Sequence, residues 1–174
     1  KTIIYLILKL EKKWMSLVTK LSLSLFSILI LLSLPNLSVS AEKIIIGKAQ
    51  VIDGDTIKIN GKKIRFFGID APEKNQICSK NSNSYNCGLT STKFLKEIIK
   101  NEKIECTYKN LDRYGRILGI CGDINGKMVE FGHAVAYVRY SKKYLSLQRK
   151  AKNEKRGIWS GKFDMPEDWR RKNK

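Results

Sequence analysis

Residues 53–73 read Asp53-Gly54-Asp55-Thr56-Ile57-Lys58-Ile59-Asn60-Gly61-Lys62-Lys63-Ile64-Arg65-Phe66-Phe67-Gly68-Ile69-Asp70-Ala71-Pro72-Glu73. Two β-prone runs, Thr56–Ile59 and Lys63–Phe67, flank Asn60-Gly61. Asn-Gly between alternating runs is the strongest short-range hairpin signal. A third run, Ile44–Val51, precedes them across the turn Asp53-Gly54-Asp55. Three strands in succession therefore carry acidic residues at one turn and Arg65, Asp70 and Glu73 around the end of the third. Strand ends on a rigid scaffold are where polar groups are best presented.

Outward from this stretch, residues 74–88 are polar and read as a surface loop. Leu89–Lys100 has apolar residues at 89, 94, 95, 98 and 99, which is helical spacing. Lys103–Tyr108 and Arg116–Cys121 read as strands around a turn at Asp112–Gly115. Met128–Ala136 and Leu145–Arg156 read as helices, the second ended by Gly157. Strands come first and helices last, with no internal repeat. That order predicts an α+β domain in which a small curled sheet carries helices on one side.

The chain has 174 residues, long enough for one domain and an additional segment. Its apolar fraction of 43% excludes a disordered chain. The apolar residues concentrate in one short N-terminal stretch, which excludes a polytopic membrane protein. The formal charge of +18 calls for an anionic partner: nucleic acid, a phosphorylated ligand or an anionic membrane surface.

Met15 is the first methionine; an uncharged run from Leu21 to Leu34 follows, then Pro35-Asn36 and Val39-Ser40-Ala41. This is the pattern of a secretory signal, with a start at Met15 and cleavage after Ala41 expected. The alternative is an uncleaved membrane anchor. Residues 42–174 are then the functional domain with its basic C-terminal tail, exported to the periplasm or the medium. Without residues 1–41 the charge is still +14, so it belongs to that domain.

Cys78, Cys87, Cys106 and Cys121 all lie in 42–174. An even count in a small exported domain points to two disulfides. Of the three connectivities, Cys78–Cys87 closing the polar loop and Cys106–Cys121 bridging neighbouring strands are favoured. A four-ligand zinc site is disfavoured because no closely spaced cysteine pair is present.

Asp55, Asp70 and Glu73 are oxygen donors of the kind a hard divalent cation takes, and a weak site would suit millimolar calcium outside a cell. Read alone, Asp53 and Asp55 equally suit a tight turn. Arg65 and Arg116 singly read as surface ion pairs. Jointly, beside three carboxylates, their guanidinium forks match a phosphodiester bidentately.

Asp-Gly-Asp-Thr, then Arg-x4-Asp-x-Pro-Glu, then Asp112-Arg113-Tyr114-Gly115-Arg116 resembles the staphylococcal nuclease (thermonuclease) family, over residues 44–160 including Gly157-Ile158-Trp159. The resemblance implies a five-stranded OB-type barrel with three helices. It implies that Asp55, Asp70 and the backbone carbonyl of Ala71 ligate Ca2+, with Asp53 behind them. Glu73 would position or deprotonate the attacking water, and Arg65 and Arg116 would bind the scissile phosphate. Arg113 and Tyr114 match positions that hold a terminal phosphate, and Tyr137 matches a base-stacking tyrosine. The implied activity is hydrolysis of DNA and RNA with the 5′ oxygen leaving, single-stranded or frayed substrate being favoured. The cysteine-bearing loop and the segment Lys162–Trp169 depart from the family pattern; the segment is expected to pack back on the barrel.

His133, the only histidine, reads as structural on a helix, because no ligand-type partner lies four residues away. The basic stretch Lys142–Arg156 reads as a solvated face that adds salt-sensitive attraction to a polyanion. No stable protein partner is implied, and a monomer is expected. A non-catalytic OB-type nucleic-acid-binding module and a small-nucleotide phosphatase are the competing readings. A pure binder has no need of Asp55, Asp70, Glu73, Arg65 and Arg116 together.

Overall fold

The computed structural model describes residues 13–15, 18 and 41–173. The apolar run and small-residue segment of the expected leader, residues 21–40, lie outside the described residues. Among the described residues no helix is long and apolar enough to cross a membrane.

Five strands close a barrel, in the order β1 (Lys43–Asp53), β2 (Thr56–Ile59), β3 (Lys62–Phe66), β8 (Ile117–Ile120) and β7 (Lys103–Leu111). β1 (Lys43–Asp53) alternates exposed and half-buried positions along its length, turning Ile45, Ala49 and Val51 toward the core. Its first half pairs antiparallel with β7 (Lys103–Leu111) and its second half with β2 (Thr56–Ile59). One strand thus serves two neighbours, and the sheet must curl. β3 (Lys62–Phe66) completes the expected hairpin with β2 and runs parallel to β8 (Ile117–Ile120), which shuts the barrel. Ile57, Ile59, Ile64 and Phe66 fill the interior, each at most 1% exposed.

Helix α1 (Cys87–Ile99) buries Leu95 and Ile99 against this core. Asn86 caps it by accepting from the Leu89 N–H at 2.8 Å. Helix α2 spans Ile124–Glu130, not Met128–Ala136 as the periodicity predicts. Buried Asn125 starts it early: its Oδ1 accepts from the Cys121 N–H, and its Nδ2 donates to the carbonyls of Phe67 and Gly119, all at 3.1 Å. Residues beyond Gly132 are needed elsewhere. β9 (Val135–Ala136) pairs antiparallel with β4 (Ile69–Asp70), so His133 sits in the turn between α2 and β9 rather than on a helix. Helix α3 (Leu145–Asn153) is followed by a 3-10 turn at Gly157–Ser160.

The polar loop is in fact a hairpin, β5 (Ile77–Lys80) with β6 (Asn83–Asn86). Its Ser and Asn content hid the strands, whose outer positions face water. Cys78–Cys87 ties β5 to the first residue of α1, and Cys106–Cys121 ties β7 to the end of β8, as the favoured pairing has it. A second apolar cluster gathers Cys78, Cys87, Val135 and Ile158 with Tyr85, Trp159 and Phe163. The C-terminal segment joins it. Ser79 and Lys162 exchange two backbone hydrogen bonds of 2.9 and 2.8 Å, and helix α4 (Pro166–Lys172) follows.

Candidate active site

The turn from β1 to β2 holds Asp55 by the mechanism that also makes Asp-Gly-Asp a common turn. Asp53 Oδ1 accepts from the Asp55 N–H at 3.1 Å. Yet the Asp55 side chain is turned inward and is 2% exposed. Its Oδ1 accepts from the Thr56 hydroxyl at 3.2 Å and from Arg65 Nη1, and its Oδ2 accepts from the Ala71 N–H at 2.7 Å. The last bond sets the peptide of residue 71 beside Asp55. A surface turn needs none of these partners.

Asp70 is 1% exposed and lies on β4, where pairing with Val135 of β9 fixes its backbone. Arg65, from β3, bridges the two aspartates: Nη2 reaches Asp70 Oδ1 at 2.5 Å while Nη1 holds Asp55. Burial pushes the Asp55 carboxyl up to about 7; Arg65 opposes the rise, and Asp53 and Asp70 add to it. Burial disfavours the Arg65 charge, but Asp55, Asp70 and Asp53 together hold it above its ordinary value.

Glu73 follows Pro72 on a segment locked from two sides. The Glu73 N–H donates to Gln76 Oε1 at 3.2 Å, and the Glu73 carbonyl accepts from the Gln76 N–H at 2.7 Å. Gln76 is fully buried, and its Nε2 donates to the Asp164 carbonyl at 2.7 Å. Helix α1 starts directly behind: a Cβ on Gly88 would lie 1.8 Å from the Glu73 carbonyl oxygen. Only glycine permits this approach.

A third arginine enters from helix α4. Arg170 Nη1 lies 2.7 Å from Glu73 Oε1 and 3.0 Å from Asp70 Oδ1, and Nη2 lies 2.8 Å from Asp70 Oδ2. Burial disfavours its charge, but the hydrogen bonds and charges of Asp70 and Glu73 raise its pKa further above the ordinary arginine range. Neither Arg170 nor Gln76 is legible as a site residue. Arg170 sits in a basic tail a hundred residues from its partner, and Gln76 lies within a polar stretch with no motif around it.

Arg116 stands apart from the carboxylates. Asp112 organises its turn, accepting at Oδ1 from the N–H groups of Tyr114 and Arg116, both at 2.9 Å, and at Oδ2 from Arg116 Nε at 2.7 Å. Gly115 takes φ +74 to make this turn. Those bonds, the backbone one from Arg116 foremost, outweigh partial desolvation and hold Asp112 below the usual carboxylate range. The guanidinium of Arg113 lies 4.8 Å from the Tyr114 ring centre and that of Arg116 5.6 Å.

One cleft of about 860 Å³ joins these groups. Asp53, Arg65, Glu73 and Arg170 line one part, and Arg113, Tyr114 and Arg116 another. Tyr137 lines it as well, 4.9 Å from Tyr140 in an edge-to-face pair. The structure thus gathers Asp55, Arg65, Asp70 and Glu73 at one end of the barrel and sets the turn 112–116 and Tyr137 along the adjoining cleft. Among the described residues no ready-made metal cage of three or more His, Cys, Asp or Glu side chains is present. Asp55 Oδ1, both oxygens of Asp70 and Glu73 Oε1 face guanidinium groups instead.

Comparison with known proteins agrees with this architecture. The profile of the staphylococcal nuclease homologue family matches residues 63–161. The chain is 38% identical over 123 residues to the succinoglycan biosynthesis protein ExoI of Rhizobium meliloti (strain 1021), covering 66% of this chain and 64% of that protein. It thus spans less than two thirds of that relative. It is 35% identical over 128 residues to an uncharacterized endonuclease of Escherichia coli, covering 67% and 78%. A micrococcal nuclease of Shigella flexneri is 29% identical over 147 residues, covering 72% and 79%. With the barrel closed as the resemblance implies and its motifs gathered on one cleft, the chain belongs to the staphylococcal nuclease homologue family.

Proposed function

We propose that this chain is an exported, calcium-dependent nuclease that hydrolyses DNA and RNA with little base preference and leaves 3′-phosphate ends. The observation that carries the reading is the convergence of Asp55, Asp70, Glu73 and Arg65 at one end of the barrel, opening on a cleft also lined by Arg116. The relatives named as endonucleases and micrococcal nuclease support the reaction class. Export rests on the signal-like pattern of residues 15–41 and agrees with two disulfides.

The donor set fits a divalent metal chemically. Asp55, Asp70 and the carbonyl of Ala71 would hold it, with Glu73 close by, all hard oxygen donors. Such a cation, when bound, would supply Lewis-acid polarisation of a phosphoryl oxygen and a more acidic water. The chain's own groups do the rest. Glu73, held by Gln76, orients the attacking water and accepts its proton. Arg65 and Arg116 bind the phosphate oxygens and neutralise the charge that grows on them as the new P–O bond forms. The P–O5′ bond breaks on the opposite side: the 5′ oxygen leaves with the bonding pair and takes a proton from solvent water, and the phosphate stays on the 3′ oxygen. Arg113 and Tyr114 hold a neighbouring phosphate, and Tyr137 offers a ring to an unstacked base, which favours single strands. The basic surface draws in a polyanion without reading its sequence.

The test is digestion of single-stranded DNA and RNA by residues 42–174, with calcium and with chelator, beside Glu73→Ser and Arg116→Ala. Calcium-dependent cleavage leaving 3′-phosphate ends and lost in both variants is the expected result. Binding without cleavage at any calcium concentration would replace this reading with a non-catalytic nucleic-acid-binding module.

A further inference from the structure

The C-terminal segment after Gly161 is fastened by contacts that converge on one outcome. Lys162 pairs with Ser79 on β5, the Asp164 carbonyl accepts from Gln76, and Arg139 Nη2 holds Glu167 Oε1 at 2.8 Å. Phe163 packs edge-on against Trp159 at 5.0 Å. These anchors set helix α4 beside the carboxylates, and Arg170 is the residue it delivers.

Asp70 is the decisive partner. Its Oδ1 accepts from Arg65 and from Arg170, and its Oδ2 accepts from Arg170, whose other nitrogen also holds Glu73. An ionised carboxylate has about four lone-pair sites, and a hard cation sits roughly 2.3–2.6 Å from the oxygen it uses. Arg170 already stands on both oxygens of Asp70 and on Glu73. A divalent ion and this guanidinium therefore seek the same oxygens with the same sign of charge. Arg65 and Arg170 together carry the charge of one divalent cation.

We propose that Arg170 is a built-in counter-cation, a positioning residue on helix α4 that competes with the divalent metal for Asp70 and Glu73. Metal loading displaces it from that carboxylate face, so the C-terminal segment sets how readily the centre takes metal. Without metal, Arg170 also pairs Glu73 and the Asp70 oxygen that Arg65 does not reach, which holds the site assembled. The inference rests on the metal-dependent nuclease reading above.

The experiment is calcium titration by calorimetry of the full chain, comparing wild type, Arg170→Gln and Arg171→Gln. Arg171 is the charge control: its side chain is 75% exposed and pairs with Asp168 instead. Arg170→Gln is expected to bind calcium about tenfold tighter or more, and Arg171→Gln to stay within about twofold of wild type. In wild type, the Arg170 Nε–H resonance is expected to move toward the position of a free arginine as calcium saturates. Equal or weaker calcium binding by Arg170→Gln overturns the inference, as does an unmoved Arg170 resonance at saturation. If Arg170→Gln does not fold, the resonance in wild type decides alone. Absence of calcium binding in all three chains refutes the metal reading and this inference with it. Calcium-dependent cleavage by wild type with unchanged affinity in Arg170→Gln retires this inference alone.

Discussion

Gln76 joins the segment that carries Glu73 to the C-terminal segment, and Gln76→Met isolates that link. Methionine keeps the length and most of the volume of glutamine, so the buried site stays filled. What is lost is the pair of side-chain hydrogen bonds, to the Glu73 N–H at 3.2 Å and the Asp164 carbonyl at 2.7 Å. Each neutral bond is worth about 1 kcal/mol net, and an orphaned buried partner raises that toward 2. Glu73 is partly buried, whereas Asp164 is exposed and its carbonyl regains water. The expected loss is therefore about 2 kcal/mol, most of it from the Glu73 side. With a urea m-value of about 2 kcal/mol/M for a domain of this size, the midpoint falls by about 1 M. Denaturation followed by tryptophan fluorescence reads this directly. The second readout is cleavage: a loosened Glu73 lowers kcat by about tenfold and changes KM little. A midpoint within about 0.3 M of wild type, with kcat unchanged, would refute the claim that Gln76 braces Glu73.

Arg65→Met removes the guanidinium shared by two aspartates at most 2% exposed, and a loss of about 3 kcal/mol in chemical denaturation is expected; a loss below about 1 would mean the carboxylates do not depend on it. His133 stacks on Phe94 at 4.1 Å, and burial lowers its pKa to about 4. The unfolded chain thus binds a proton that the folded chain refuses between about pH 6.5 and 4, so stability falls as pH drops through that window. The loss is about 2 kcal/mol after discounting for partial exposure, and it should vanish in His133→Phe when the two pH–stability curves are compared. Replacing Cys106 and Cys121 together by Ala opens a loop of 15 residues and should cost about 3 kcal/mol. Equal midpoints for that variant and wild type under oxidising conditions would show that the bridge adds nothing to the barrel.

The hairpin around Asn60-Gly61 was legible because turn chemistry and alternation are local properties of the chain. The same holds for helix α1, whose apolar spacing needs no partner to be recognised. The periodicity misplaces helix α2 because its start depends on Asn125 bonding to Phe67, 58 residues away along the chain. The hairpin β5–β6 reads as a loop in sequence because strands with water on their outer positions carry little apolar signal. Its disulfide was nevertheless legible, since the even cysteine number and the spacing restrict the choice.

Sequence by itself determined the barrel class and singled out Asp55, Arg65, Asp70, Glu73 and Arg116 as a candidate set, because these stand in ordered motifs at strand ends. It also determined that the domain is cationic. Tertiary structure alone decided which charges meet. Arg65 and Arg170 share the buried carboxylates, whereas Arg116 rests on Asp112 of its own turn. Gln76 holds the Glu73 backbone and Arg170 its side chain, one three residues away and the other 97. The physical reason is range. Turns, strands and helix caps are settled within a few residues, whereas pairing of buried charges depends on which distant segments the closed barrel and its C-terminal segment bring within a few ångströms.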